Sequence, residues 1–207
     1  MSKKKKINEK IEFKIITLGE IGVGKTSVLR RFSTGSFIDR NPPTIGIDFS
    51  TKNVTLENGK DILLKFEDTS GQEKYKCLTK TYFKNTDAVF FVFSLYERNS
   101  FLNMKEWIDL FNENNNMSSG ILKYLIGNKC DLEHNVLKEE IDAFLKENGD
   151  LVYFETSAKE NIQIEKLFQE MSEKLYRNIS SKKETKQISK LVHKGYNKPC
   201  CGGGDID

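Results

Sequence analysis

The chain has 207 residues, 37% hydrophobic and 30% charged, with a net charge of +3. That length suits one domain with a sizeable core plus a tail; the charge is too small to argue for nucleic acid, and no aromatic-basic stripe suggests it. No apolar run approaches the roughly 18 residues of a membrane span, and four cysteines, with Cys77 and Cys130 isolated, do not make a disulfide framework.

MSKKKKINEK, residues 1–10, is a basic lead with no apolar stretch behind it. It is not a secretory signal, and Ser2, where glycine would be required, excludes N-myristoylation. The expected setting is the cytosol. FKIITL, residues 13–18, is a short apolar run stopped by Gly19, the pattern of a buried strand feeding a tight turn, and a helix is predicted from Lys25. Strands are predicted over 47–56 and 61–66; the Asn58-Gly59 pair between them is a strong hairpin signal, so the two should run antiparallel. The runs AVFFVFSL (88–95), ILKYLIG (121–127) and LVYFE (151–155) then alternate with helical stretches over 100–113, 136–147 and 161–177. The Asn-rich segment 111–120 reads as a surface loop or frayed helix end. Strands alternating with helices argue for a mostly parallel sheet covered on both faces, with ligands bound beyond the carboxyl ends of its strands.

The last helix is predicted to end near Asn178. Between 179 and 201 there are six lysines (Lys182, Lys183, Lys186, Lys190, Lys194, Lys198) and one acid, Glu184, which reads as a solvated, flexible tail. The expected organisation is thus a lead (1–10), one α/β domain (11–178) and a tail (179–207).

GEIGVGKT, residues 19–26, fits G-x-x-x-x-G-K-[ST] between a predicted strand and a predicted helix. Its glycines let backbone N–H groups turn toward an anion, and the helix N-terminus adds partial positive charge, so phosphate is the natural guest. Lys25 would reach the β- and γ-phosphates and Thr26 would ligate Mg²⁺. A phosphate loop alone serves a nucleotide kinase, an ATPase or a GTPase equally well. NKCD, residues 128–131, discriminates: guanine presents N1–H and its 2-amino group as adjacent donors, and Asp131 can accept both, whereas adenine offers no such pair.

GEIGVGKT, PPTIGIDF (42–49), DTSGQE (68–73), NKCD and ETSAK (155–159) occur in the order and spacing of the Ras-like small GTPases, and the resemblance covers residues 13–178. IGIDF and the paired Cys200 and Cys201 resemble the Rab branch. The resemblance implies a P-loop NTPase three-layer sandwich: a mostly parallel six-stranded sheet with one antiparallel strand and helices on both faces. It implies a GTP/GDP site formed by Gly22, Val23, Gly24, Lys25, Thr26, Ser27, Phe37, Thr44, Gly71, Asn128, Lys129, Asp131, Ser157, Ala158 and Lys159. Thr44 would touch Mg²⁺ and sense the γ-phosphate, Asp68 would hold the metal through water, and Gly71 would contact the γ-phosphate. Gln72 would orient the attacking water and, with Lys25, carry catalysis. Phe37 would meet the base, the stem of Lys129 would lie along the ring, and the 157–159 loop would contact the base oxygen through N–H groups. The implied partners are an exchange factor, an activating protein, effectors and a GDP-dissociation-inhibitor-type chaperone, around a monomeric, slow GTPase acting in vesicle traffic.

The pattern breaks at three places. Ile21 stands where the family has glycine or a small residue; it could crowd Gln72 and its water, so intrinsic turnover should be slower than in an Ile21→Gly variant. Ser70 replaces a usual alanine, a minor change. Glu67 replaces the tryptophan of an exposed aromatic trio whose other members match Phe49 and Tyr82, which predicts an altered effector set.

In the tail, Cys200, Cys201 and His193 lack metal-finger spacing, so zinc is not expected. Twin cysteines on a lysine-bearing tail resemble the double geranylgeranylation site of Rabs, and two chains anchor firmly where one does not. Modification would place the protein on the cytosolic face of an endomembrane, although six residues follow Cys201, more than in most Rabs. Two rival readings remain: a GTP-held binding module with vestigial hydrolysis and no anchor, and a small-molecule phosphotransferase, for which no arginine-rich lid is visible.

Overall fold

In a computed structural model of the chain, residues 11–71, 82–115 and 120–195 are described, with 182–195 as backbone only. The elements are β1 (Ile11–Leu18), α1 (Lys25–Thr34), β2 (Ile47–Thr55), β3 (Asp61–Thr69), β4 (Ala88–Ser94), α2 (Arg98–Leu102), α3 (Met104–Asn115), β5 (Leu122–Asn128), α4 (Lys138–Glu147), β6 (Leu151–Glu155) and α5 (Ile164–Gly195).

The six strands form one sheet in the order β2-β3-β1-β4-β5-β6. All neighbours are parallel except β2 and β3, the predicted hairpin, whose turn is closed by Leu56 N–H to the Lys60 carbonyl (2.8 Å). Every residue of β4 is buried, as a central parallel strand covered on both faces requires. Alternation in β4 splits the core in two. Phe90, with Phe66, packs on Phe168 of α5, which stacks on Phe32 of α1 at 3.8 Å; Phe91 and Phe93 pack on Phe111 of α3 and Phe101 of α2. Trp107, Met104 and Ile141 complete the second layer. Because β3 lies on one side of β1 and β4 on the other, the crevice where ligands bind in such sheets opens beyond Leu18.

Three elements differ from their sequence expectations. β3 continues three residues past Phe66, because Glu67, Asp68 and Thr69 pair with β2, and Glu67 and Asp68 also with β1; neighbours on both sides override the poor strand propensity of the acids. The helix expected over 100–113 is two helices broken at Asn103. The last helix does not end near Asn178 but runs to Gly195, since residues 179–194 contain neither glycine nor proline to stop it. The chain divides into two compact units, 1–175 and 176–207, so α5 belongs to both.

Candidate functional site

The loop after β1 turns through Gly22 and Gly24, and Gly24 sits at φ 97° as the residue preceding α1. A Cβ there would collide with the side-chain nitrogen of Asn128, so only glycine lets the two loops meet. Gly71 is similarly constrained: a Cβ would fall within contact of the Glu20 carbonyl and the Ile21 nitrogen. Lys25, 6% exposed, folds back to donate from Nζ to the carbonyls of Gly19 and Glu20, both at 2.9 Å. Burial lowers its pKa to about 8 against the opposing pull of the Asp68 and Glu20 charges, so an anion brought beside it favours the charged form. Glu20 is itself held by Trp107 of α3, whose Nε1–H donates to Oε1 at 3.1 Å.

Oxygen donors gather next to Lys25. Thr26 Oγ1–H donates to Asp68 Oδ2 at 2.5 Å, so the Thr44 hydroxyl, 2.9 Å away, donates to Thr26. Thr17 Oγ1–H donates to Asp68 Oδ1 at 3.0 Å. Burial raises the pKa of Asp68, with the Thr26 bond, the Lys25 charge and the Thr17 bond pulling the other way. Two hydroxyls and one carboxylate are hard donors that suit Mg²⁺, a cation that takes its remaining ligands from phosphate and water. Among the described residues no group of three or more His, Cys, Asp or Glu could hold a metal by itself.

At the other end, Asn128 braces two loops: Nδ2–H donates to the Val23 carbonyl (2.8 Å), while Oδ1 accepts from Ala158 N–H (3.2 Å) and Thr156 Oγ1–H (3.3 Å). Ser157 Oγ–H donates to Asp131 Oδ1 at 2.5 Å and fixes that carboxylate. Lys129 sits at φ 64°, a left-handed conformation that a lysine keeps only where its surroundings impose it.

These groups border one cleft of about 460 Å³, the size of a small-molecule site. Of the residues assigned from sequence, Gly22, Gly24, Lys25, Thr26, Ser27, Phe37, Thr44, Gly71, Asn128, Lys129, Asp131, Ala158 and Lys159 line it, and so does Ile21, 48% exposed. Val23 is buried beneath the loop, while Ser157 and Asp68 lie behind the lining and act through Asp131 and Thr26. Gln72 lies outside the described residues, as do Cys200 and Cys201.

Several contributors escaped the sequence reading, Ile38 and Asp39 of the cleft wall among them. Asn41 donates to Ser27 Oγ (3.2 Å) and accepts from Arg30, tying the loop before Thr44 to α1. Leu132 adds to the wall, and its position beside NKCD could have flagged it. Trp107 and Arg31 contact the site's loops from 87 and 127 residues away, and no local signal announces that.

The family model described as Ras family matches residues 14–177. Rab-13 of Mesocricetus auratus is 38% identical over 162 residues, 77% of this chain and 78% of the relative. Rab-10 of Diplobatis ommata is 36% identical over 194 residues, 91% and 95% of the two chains. The GTP-binding protein YPTM1 of Zea mays is 38% identical over 162 residues, 77% and 76%.

Proposed function

The chain belongs to the Ras family as a Rab-like small GTPase, and from that premise we propose a guanine-nucleotide switch that binds GTP and GDP with Mg²⁺, hydrolyses GTP slowly and regulates vesicle traffic. The observation that carries the reading is convergence: a phosphate loop, the Thr26–Thr44–Asp68 cluster and the Asn128–Asp131 and 157–159 loops border one cleft. The 11–178 segment is the proposed GTPase domain.

Lys25 supplies the cation for the β- and γ-phosphates, with its two carbonyl contacts fixing the reach of the side chain. Thr26, Thr44 and Asp68 would hold Mg²⁺, Asp68 through water, and the ion would neutralise charge on the phosphate oxygens. Thr44 joins this cluster from a loop, so the presence of a γ-phosphate is felt by the chain before β2. Gly71 brings backbone next to the phosphate loop, and Gln72 orients the attacking water. Asp131, held by Ser157, accepts from guanine; Lys129 and Phe37 flank the ring; the 157–159 loop contacts the base oxygen through the Lys159 N–H, the Ala158 N–H being bonded to Asn128. Ile21 slows turnover from its place in the cleft wall.

Partners follow from membership: an exchange factor, an activating protein, effectors selected around Glu67, and a GDP-dissociation-inhibitor-type chaperone. No helix of the described residues is long and apolar enough to cross a membrane. Membrane contact is proposed through prenylation of Cys200 and Cys201, on the likeness of the paired cysteines to the Rab pattern.

Competition for a fluorescent guanine nucleotide tests the core of this reading. GDP should displace it at near-stoichiometric concentration, ADP should not at thousandfold excess, and chelation of Mg²⁺ should speed release. Equal displacement by ADP would return the chain to the phosphotransferase reading.

A further inference from the structure

Arg31 lies in the last turn of α1 and does not line the cleft, yet it touches two of the segments that frame the cleft's purine end, 157–159 and 35–37. Its Nε–H donates to the Ala158 carbonyl, one terminal nitrogen to the Lys159 carbonyl and the other to the Gly35 carbonyl, all at 2.7 Å. Gly35 in turn closes α1 by donating its N–H to the Arg31 carbonyl at 2.9 Å. The guanidinium carbon stands 5.9 Å from the centre of the Phe37 ring. A planar fork with five donors can hold two consecutive carbonyls and a third at once, which an ammonium on a flexible stem cannot reproduce.

The consequence concerns where the loop's N–H groups point. In a planar trans peptide the C=O and the following N–H face opposite ways. With the Ala158 carbonyl pinned to Arg31, the Lys159 N–H is turned away from α1, and Ala158 N–H is already committed to Asn128. The same guanidinium sets Phe37 at the start of the loop that carries Thr44. We propose that Arg31 is a positioning residue for base recognition: it fixes the 157–159 loop in the arrangement that presents the Lys159 N–H to the purine oxygen, and so sets how long nucleotide stays bound. This rests on the reading of the cleft as a guanine-nucleotide site.

The test uses the full chain loaded with a fluorescent GDP and chased with excess GDP, comparing the native protein with Arg31→Met and Arg31→Lys. Release should be about tenfold faster for Arg31→Met, a difference of about 1.4 kcal/mol, and intermediate for Arg31→Lys. A merely structural role is separated by 2-aminopurine riboside diphosphate, which keeps the 2-amino group but lacks the base oxygen. Its affinity should change less than about twofold on Arg31→Met, because the lost contact is one it never made. Equal losses for both nucleotides, or unchanged GDP release, overturn the proposal. If Arg31→Met does not fold, Arg31→Lys decides by the same two comparisons. A native protein that binds GDP no better than ADP would sink the guanine-site reading itself, a result visible before any variant is made.

Discussion

At the scale of single residues, the phosphate loop carries its main departure on the surface of the cleft, where Ile21 is 48% exposed. Its backbone nitrogen lies against Gly71, and both residues border the cleft. Single-turnover hydrolysis by Ile21→Gly should be about fivefold faster than by the native protein, a barrier lower by about 1 kcal/mol; equal rates would remove the steric argument. Cys130, between Lys129 and Asp131, shows the opposite behaviour, a reactive group kept quiet. Burial pushes its thiol pKa up, and the Asp131 and Glu155 charges push the same way. The thiolate is the nucleophile, so a raised pKa leaves less of it at neutral pH. Alkylation at Cys130, resolved by peptide mass, should be slower than that of free cysteine from pH 7 to 8.5, with the gap closing as pH rises further. Equal rates at pH 7 would contradict the shift. Residues within a motif were legible from sequence because backbone loops impose their spacing. Arg31, Asn41 and the Glu20–Trp107 bond were not, because only the folded sheet brings those partners together.

Between elements, the substitution at Glu67 has a structural counterpart. Glu67 on β3 stands beside Phe49 of β2 and Ile16 of β1, and its Oε1 pairs with Lys14 Nζ of β1 at 3.0 Å. The same ammonium donates to the Tyr82 carbonyl (2.6 Å) and the Lys84 carbonyl (3.1 Å). One lysine thus ties β3 to the chain entering β4, while Phe49, 59% exposed, keeps its ring contact with Tyr82 at 5.9 Å. Glu67 Oε2 is buried without a hydrogen-bond partner, so the carboxylate depends on Lys14. Lys14→Met should cost about 2 kcal/mol, below the range for a fully buried pair because both side chains keep some exposure. Adding Glu67→Met should recover about half of it, as urea unfolding of GDP-loaded protein would measure; additive losses would deny the coupling. Glu67→Trp should also change the proteins captured by the GTP-loaded chain, and an identical set would remove the effector argument. The strand expected over 61–66 stops short of Glu67 and Asp68 because their partners across the sheet, Lys14 and Thr17, are some fifty residues away in sequence and leave no local signal.

At the scale of the molecule, the boundary between the two compact units falls in the sequence of α5, after Leu175. Up to that point the helix is bound into the first unit: Phe168 joins Phe32, Phe66 and Phe90, and Glu173 accepts from the Glu57 N–H of the β2–β3 turn at 2.9 Å. Beyond it Ser180 donates to the Tyr176 carbonyl and Ser181 to the Arg177 carbonyl, both within the helix. Helical backbone therefore extends past the unit that holds the nucleotide residues, something composition concealed because lysine-rich sequence reads as a tail whether or not it is helical. The proposed nucleotide site thus falls in the first unit and the proposed prenylation site in the second. A chain ending at Ser181 should keep its GDP affinity within twofold and its unfolding free energy within about 0.5 kcal/mol, the range of changes remote from packed features. It should also leave the membrane fraction of its own cells, because Cys200, Cys201 and the six lysines leave with the segment. Intact mass of the full chain from those cells completes the comparison, two prenyl additions being the expected result. Unmodified cysteines together with unchanged membrane partition of the shortened chain would move the anchor to the GTPase unit and leave the lysine-bearing helix without that role.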